Sequence, residues 1–548
     1  MPESDSAARS HWLSAQLARY EAEARERQRH APHTARRHFL QSALALAAAQ
    51  ATVPLHSLAQ APSGVRFTTY PFTLGVASGA PRETSVVLWT RLATEPMAMA
   101  GDGGMGPERV AVRWEVAEDE GFKRIAQKGT IRAAAELGHS VRPEVTGLSP
   151  GRWYWYRFMA GDAVSPVGRT RTAPAVGAER LRFAFASCQQ YEQGYFSAYR
   201  HMAKEDLDLV AFLGDYIYEA NWGTKLVRRH AGPECETLAQ YRVRYGQYRL
   251  DPDLAAMHAA APWIVTWDDH EVANDYAADQ SQHLDPRFLL RRAAAYQAFY
   301  EHMPLPMSAL PRGADMKLYD RYAFGDLATF HVVDARQYRA PQACPRPGMG
   351  GSAFVEGCEA IKTPGRTMLG TAQEQWLLDG LGTSRARWNV LAQPTLMAQY
   401  DLKPGAGQRL WTDGWDGYPH ARRQVTEFLA EKKIANTLVI GGDVHCHHVA
   451  EIKRDFDDPK SQVVASEFVG TSITSEGDAQ EDHDQRRADN PHLLLSDGRH
   501  KGYVVMELGR ARARADLRII DNEKIRDSKV STLASFNVDV DRPGPKRI

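Results

Sequence analysis

Cysteine is scarce in this chain: five residues among 548, an odd number too thinly spread for a disulfide scaffold. A charge excess is missing too. Lysine plus arginine and aspartate plus glutamate each total 67, so the formal net charge is zero. That excludes the strongly basic footprint of a nucleic-acid-binding domain. No uncharged apolar run reaches the roughly 18 residues of a transmembrane helix. Internal repeats and low-complexity tracts are absent as well. What remains is globular in composition, 43% hydrophobic and 24% charged. The length suits about two to four domains.

The first segment reads as an address. In "TARRHFLQSALALAAAQ", Arg36-Arg37 precede Phe39-Leu40 and a modest apolar stretch, and Ala59-Gln60-Ala61 follows. Charged, apolar, then small-x-small is the order of a signal peptide, and the arginine pair points to the twin-arginine export machinery. Residues 1–61 are therefore expected to be a leader, and the mature protein to be periplasmic or secreted.

Two textures follow. Over residues 66–175, Val110, Val112, Trp114 and Val116 alternate with Ala111, Arg113 and Glu115, the period-2 mark of a half-buried strand. In "VTGLSPGRWYWYRF", Tyr154 follows Leu148 and Pro150 as a corner tyrosine follows its turn, its hydroxyl expected to tie back to nearby backbone. This predicts an N-terminal all-β immunoglobulin- or fibronectin-like sandwich. "TRTAPAVGAE" reads as a linker. Over 180–525, continuous apolar strands are expected at 183–186, 209–213, 263–266, 330–333, 390–391 and 438–440, with helices between them. One helix is read from Asp285 as N-cap to Pro304 as stop. Alternating strands and helices predict an α/β domain, and residues 526–548 read as a C-terminal tail. Cys344 and Cys358 bracket a Gly/Pro-rich loop and are able to pair in an oxidising compartment.

Five of the predicted strands run into chemically useful side chains: Ser187-Cys188; Gly214-Asp215 with Tyr218; Asp268, Asp269, His270, Glu271 and Asn274; Asp334 and Arg336; and "GDVHCHH" from Gly442 to His448. In open α/β sheets ligands gather outside the carboxyl ends of strands, so loops bring these groups to one rim. Any single acid there is more often a turn former. Asp, Asn and His together supply the hard oxygen and imidazole donors of a two-metal hydrolytic site, with Asp215 as the natural bridge. Tyr218, three positions on, offers a phenolate suited to a trivalent ion such as Fe3+, and Cys188 a thiolate. Cys446, between two histidines, is expected to face away from the rim.

The segments "FAFASCQQYEQGYFSAYRHMAKEDLDLVAFLGDYIYE", "TWDDHEVANDYA", "RRAAAYQAFYEHMPL", "HVVDARQYR", "GGDVHCHH" and "EFVGTSITSEG", together with the earlier "FTLGVASGAPRETSVVLWTRL", resemble the alkaline phosphatase D family. The resemblance runs from about Pro71 to Tyr503. It implies a layered αββα metallophosphatase-like fold and a monomeric, exported phosphoesterase. Its substrates would be small phosphate esters or phosphodiester polymers, hydrolysed by a metal-activated hydroxide. It further implies Fe3+ held by Cys188, Asp215, Tyr218 and His447. Ca2+ would lie nearby, with His445, Asn274 and an acid from Asp268 or Asp269 on the partner ion. His270 is implied as the group that contacts phosphate or protonates the leaving group. Arg336 is a candidate for orienting a phosphate oxygen, with an ion pair to Asp334 as the plainer alternative. A rival reading is a calcium-stabilised cell-surface binding protein whose metals are structural.

Overall fold

Three strands, Arg180–Ala186, Leu209–Leu213 and Trp263–Thr266, lie side by side and parallel. The structure is a computed structural model, and residues 66–548 are described; the leader with Arg36-Arg37 and Ala59-Gln60-Ala61 lies outside the described residues. These three strands are the centre of an eleven-stranded sheet. On one side it continues through Lys501–Gly509, Arg512–Ile520, Val530–Asp539 and Arg542–Arg547. On the other it continues through Val76–Gly79 and Ser85–Arg91. A seven-stranded sheet contains Ala328–Val332, Trp388–Ala392, Thr437–Gly441 and Val463–Val469 in parallel order, with His447–Lys453 antiparallel beside the last.

Alternation along each strand explains why these runs read as continuously apolar. Phe183, Phe185, Leu209, Ala211 and Leu213 face one core shared with Phe330, Val332, Val390, Leu438 and Ile440 of the second sheet. The Phe183 and Phe330 rings meet edge to face at 5.0 Å. The intervening residues Ala184, Val210 and Phe212 face a different core, made with Tyr245, Tyr248, Tyr296 and Phe299 from the helices Leu238–Arg249 and Phe288–His302. On the second sheet, Leu391 and Val439 pack against Leu377 and Val425 of Thr371–Thr383 and Pro419–Glu431. Both faces of the central strands are covered, as parallel strands require. The molecule is a sheet-rich, mixed α/β protein.

The N-terminal region is β apart from one 3-10 turn at Ala135–Leu137, and the tyrosine corner forms: Tyr154 is buried and its hydroxyl accepts the Ser149 N–H at 2.8 Å. One of its sheets, built on Val110–Ala117, Ile125–Ala133 and Trp153–Ala160, stands alone. The other does not. Val76–Gly79 pairs in parallel with Trp263–Thr266 through Gly79 and Trp263. The region between 66 and 175 thus shares a sheet with the α/β part. Residues 526–548, expected to be a tail, form the edge of the large sheet, because Val530–Asp539 pairs along the whole of Arg512–Ile520. The helix expected from Asp285 begins at Phe288, and the Asp285 carboxylate accepts the Arg287 N–H instead. Cys344 and Cys358 are disulfide-bonded, and Cys188, Cys235 and Cys446 are free and buried. No helix among the described residues is long and apolar enough to cross a membrane.

Candidate metal centre

Register brings the strand ends together. Ala186 pairs with Phe212, and Leu213 with Thr266, so the loops at Cys188, Asp215 and Asp268 leave one rim side by side. The Cys188 N–H donates to the Gly214 carbonyl at 3.0 Å, and the Gln189 N–H to the Asp215 carbonyl at 3.1 Å. The second sheet closes onto the same rim, where the Thr266 hydroxyl donates to the Val333 carbonyl and the Trp267 indole to Asp334. Gly214 is required in this crossing: at φ +113°, a Cβ there would stand 2.7 Å from the Asp268 backbone nitrogen.

The backbone is held in an unusual conformation at the rim. Cys188, Asp215, Asp443 and His445 all have left-handed φ, at 57°, 59°, 65° and 55°. Non-glycine residues adopt this only when their surroundings over-determine it, and such positions cluster at functional sites.

Ligand atoms of Cys188, Asp215 and His445 lie within 4.8 Å of one another. Tyr218 joins them, its hydroxyl 3.0 Å from Asp215 Oδ2 and 3.2 Å from His445 Nε2. A second group, Asp215, Asp269 and His270, meets the same 4.8 Å limit, so Asp215 stands between the two. Asp215 Oδ1, Asp268 Oδ2, Asp443 Oδ2 and His447 Nε2 are buried and have no hydrogen-bond partner. Orphaned acceptors on three acids, beside a thiol, a phenol and the His445 imidazole, are a donor set that fits metal cations.

The structure departs from the implied assignment at the histidines. His445, not His447, shares the group of Cys188, Asp215 and Tyr218, because the left-handed turn at residue 445 swings its ring toward the phenol. His447 Nδ1 instead accepts the Thr471 N–H, which puts the neutral ring's proton on Nε2. Asn274 is half-buried and donates to Gln282. Arg336 is fully buried, and its two-nitrogen edge is spent on Asp413, at 3.0 and 2.6 Å, while Nε holds Asp268 at 2.5 Å. It has no bidentate edge left for a phosphate. Nor does its side chain pair with Asp334, which accepts only its backbone N–H.

Comparison with known proteins identifies the family of the chain. The PhoD-like phosphatase family matches residues 183–517, and its N-terminal domain matches 58–174. The chain belongs to the PhoD-like phosphatases. It is 47% identical over 495 residues to alkaline phosphatase D of Bacillus subtilis (strain 168), covering 88% of this chain and 83% of that protein. A solved structure titled "Structure of PhoD" superposes with a TM-score of 0.84 at 46% identity, covering 88% of this chain and 93% of the other. The protein is thus a phosphoric ester hydrolase, and the rival reading as a binding protein falls.

Electrostatics of this PhoD-like phosphatase rim call for added positive charge. Burial, reinforced by Asp269, Asp268 and Glu271, pushes Asp215 well above the usual carboxylate range against the opposing pull of His270. Asp443 is raised in the same way, and burial with Asp215 and Asp443 raises the Cys188 thiol. Burial drives His445 down to about 3 and His447 to about 4, leaving both rings neutral; His445, whose Nδ1 donates to the Glu476 carbonyl, keeps its Nε2 lone pair for a metal. His270 is the exception. Burial alone would lower it, but Asp269, Glu219 and Asp215 outweigh that and raise it well above its ordinary value. Glu219 Oε2 anchors His270 Nδ1 at 2.7 Å, and the Tyr218 ring lies over the imidazole at 4.1 Å.

Four contributors were given no role from the sequence, although Asp443 and Glu271 stand among the strand-end groups. Asp443 and Glu219 sit inside quoted motifs, one residue beyond a glycine pair and one beyond Tyr218. Glu271 accepts the N–H groups of Asp215, Tyr216 and Asp268, tying two loops to one carboxylate. Asp413 follows the two-residue strand Leu410–Trp411, too short for any local pattern to mark it.

Proposed function

We propose that this phosphatase hydrolyses phosphate esters at a site where Fe3+ is held by Cys188, Asp215, Tyr218 and His445. Ca2+ is held beside it by Asp215 with Asp268 or Asp269, and Asp443, Asn274 and His447 complete the surroundings. The observation that carries this reading is the unpartnered Asp215 Oδ1, buried between the two donor groups. When bound, such cations make a water more acidic and set positive charge against the phosphate oxygens.

The chain's own residues do the rest. Glu219 fixes the His270 ring through Nδ1, leaving Nε2 to hand a proton to the departing alkoxide as its P–O bond breaks. Arg336 acts from behind, holding Asp268 and Asp413 in place rather than touching substrate. The two-sheet core is read as the αββα sandwich of metallophosphatases, with residues 66–175 as an immunoglobulin-like module joined to it. Small phosphate esters and phosphodiesters are the substrate classes.

Asp215→Asn and Tyr218→Phe test the site on metal content, absorbance and turnover of a chromogenic phosphate ester. Asp215→Asn is expected to lose both metals and nearly all activity. Tyr218→Phe is expected to keep most metal but lose a visible phenolate-to-iron band. A colourless wild type with two fully active variants would refute the assignment.

Export by the twin-arginine route follows from Arg36-Arg37 and the small-x-small site at Ala59 to Ala61. Lysine at both arginines should hold the precursor in the cytoplasm; normal export of that variant excludes the route.

A further inference from the structure

Behind the rim, on the opposite side of the same turn, lies a second set of donors. His447 opens the strand His447–Lys453, whose alternation turns His447 and His448 to opposite faces, and Cys446, in the bend just before it, lies on the His448 side. Cys446, His448 and His483 are all buried, and their ligand atoms lie within 4.8 Å of one another. Cys446 Sγ is 3.0 Å from His448 Nε2. His483 reaches this point from the helix Gln480–Arg486, and its ring meets that of His448 edge to face at 5.6 Å.

Two features separate this cluster from a packed cysteine among histidines. The far nitrogen of each ring is engaged: His448 Nδ1 with the Ser496 hydroxyl at 2.9 Å, and His483 Nδ1 with the Tyr400 hydroxyl at 2.9 Å. Outer hydrogen bonds of this kind set the tautomer of a metal-binding histidine and aim its other nitrogen inward. His483 Nε2 is also buried without a hydrogen-bond partner, an arrangement that costs free energy unless something accepts its lone pair.

We infer that Cys446, His448 and His483 form a Zn2+ site separate from the catalytic rim. A thiolate and two imidazoles suit Zn2+, with bonds of about 2.3 Å to sulfur and about 2.0–2.1 Å to nitrogen. Around a tetrahedron those lengths set ligand atoms about 3.3–3.6 Å apart, inside the observed 4.8 Å limit. The ion ties the strand His447–Lys453 to the helix Gln480–Arg486. It thereby braces from behind the turn that presents His445 and His447. Its role is structural, since the cluster is closed off from the rim by the strand itself.

The full-length protein, equilibrated with Zn2+ and freed of unbound metal, is compared with Cys446→Ser and His483→Gln by elemental analysis. The wild type should hold one more zinc equivalent than either variant; equal zinc in all three overturns the site. Cobalt gives an answer even where those variants fail to fold. Cys188→Ala protein titrated with Co2+ should develop a thiolate-to-cobalt charge-transfer band, because Cys446 remains beside two imidazoles. Absence of that band overturns the site.

Discussion

Replacing Arg336 with methionine tests whether this residue serves the fold or the substrate. The side chain is buried with Asp268 and Asp413 around it, each about 1% exposed. Methionine keeps much of the volume and removes the charge. Asp413 retains Arg339 at 2.9 Å and the Gln342 amide at 2.6 Å. Asp268 retains no cation at hydrogen-bond distance among the described residues, so the cost falls there. Breaking a buried ion pair by removing one partner costs about 3–5 kcal/mol. Unfolding entropy near the transition is about 2.1 cal/mol/K per residue, or roughly 1 kcal/mol/K for about 480 residues. The melting temperature should therefore fall by about 3–5 °C. Calorimetry at one fixed scan rate reads this shift. Adding Asp268→Asn should recover part of the loss, since it removes the carboxylate left without a cation. A phosphate-binding arginine behaves differently, raising KM while leaving the melting temperature alone. That outcome would refute the positioning role.

Two smaller tests accompany it. Cys188→Ser should lower iron content while the fold persists, since a hydroxyl is a much poorer anionic donor than a thiolate; full iron and full activity would make Cys188 a buried filler. His331, buried on the second sheet against Asn389, is held down to about 4 by burial. The unfolded chain takes up its proton near pH 6.5, before the folded chain does, so His331 stabilises above that pH. The contribution is lost as pH falls toward 4, at up to about 1.4 kcal/mol per pH unit. His331→Gln should flatten the acid limb of a melting-temperature profile, and an unchanged limb would exclude His331 as its source.

The strands of the catalytic region were legible in the sequence because both of their faces are buried. Leu209–Leu213 and Trp263–Thr266 match the reading residue for residue. Apolar runs bounded by Gly-Asp or Asp-Asp carry their own ends. Tyr154 was legible for a related reason: a corner is a local hydrogen bond within a few residues, here to Ser149. The motifs likewise named Cys188, Asp215, Tyr218, Asp269, His270 and His445 without any knowledge of distance.

Tertiary structure decided what depends on partners far along the chain. Val530–Asp539 looked like a tail because its alternating pattern acquires meaning only once Arg512–Ile520 lies beside it. Which histidine meets the phenol turned on a single left-handed residue, His445, and φ is not written in composition or spacing. Arg336 looked free to bind phosphate until Asp413, 77 positions later, took both ends of its fork. Side-chain chemistry is local and can be read from sequence. Burial, register and charge pairing exist only between segments that the fold brings together.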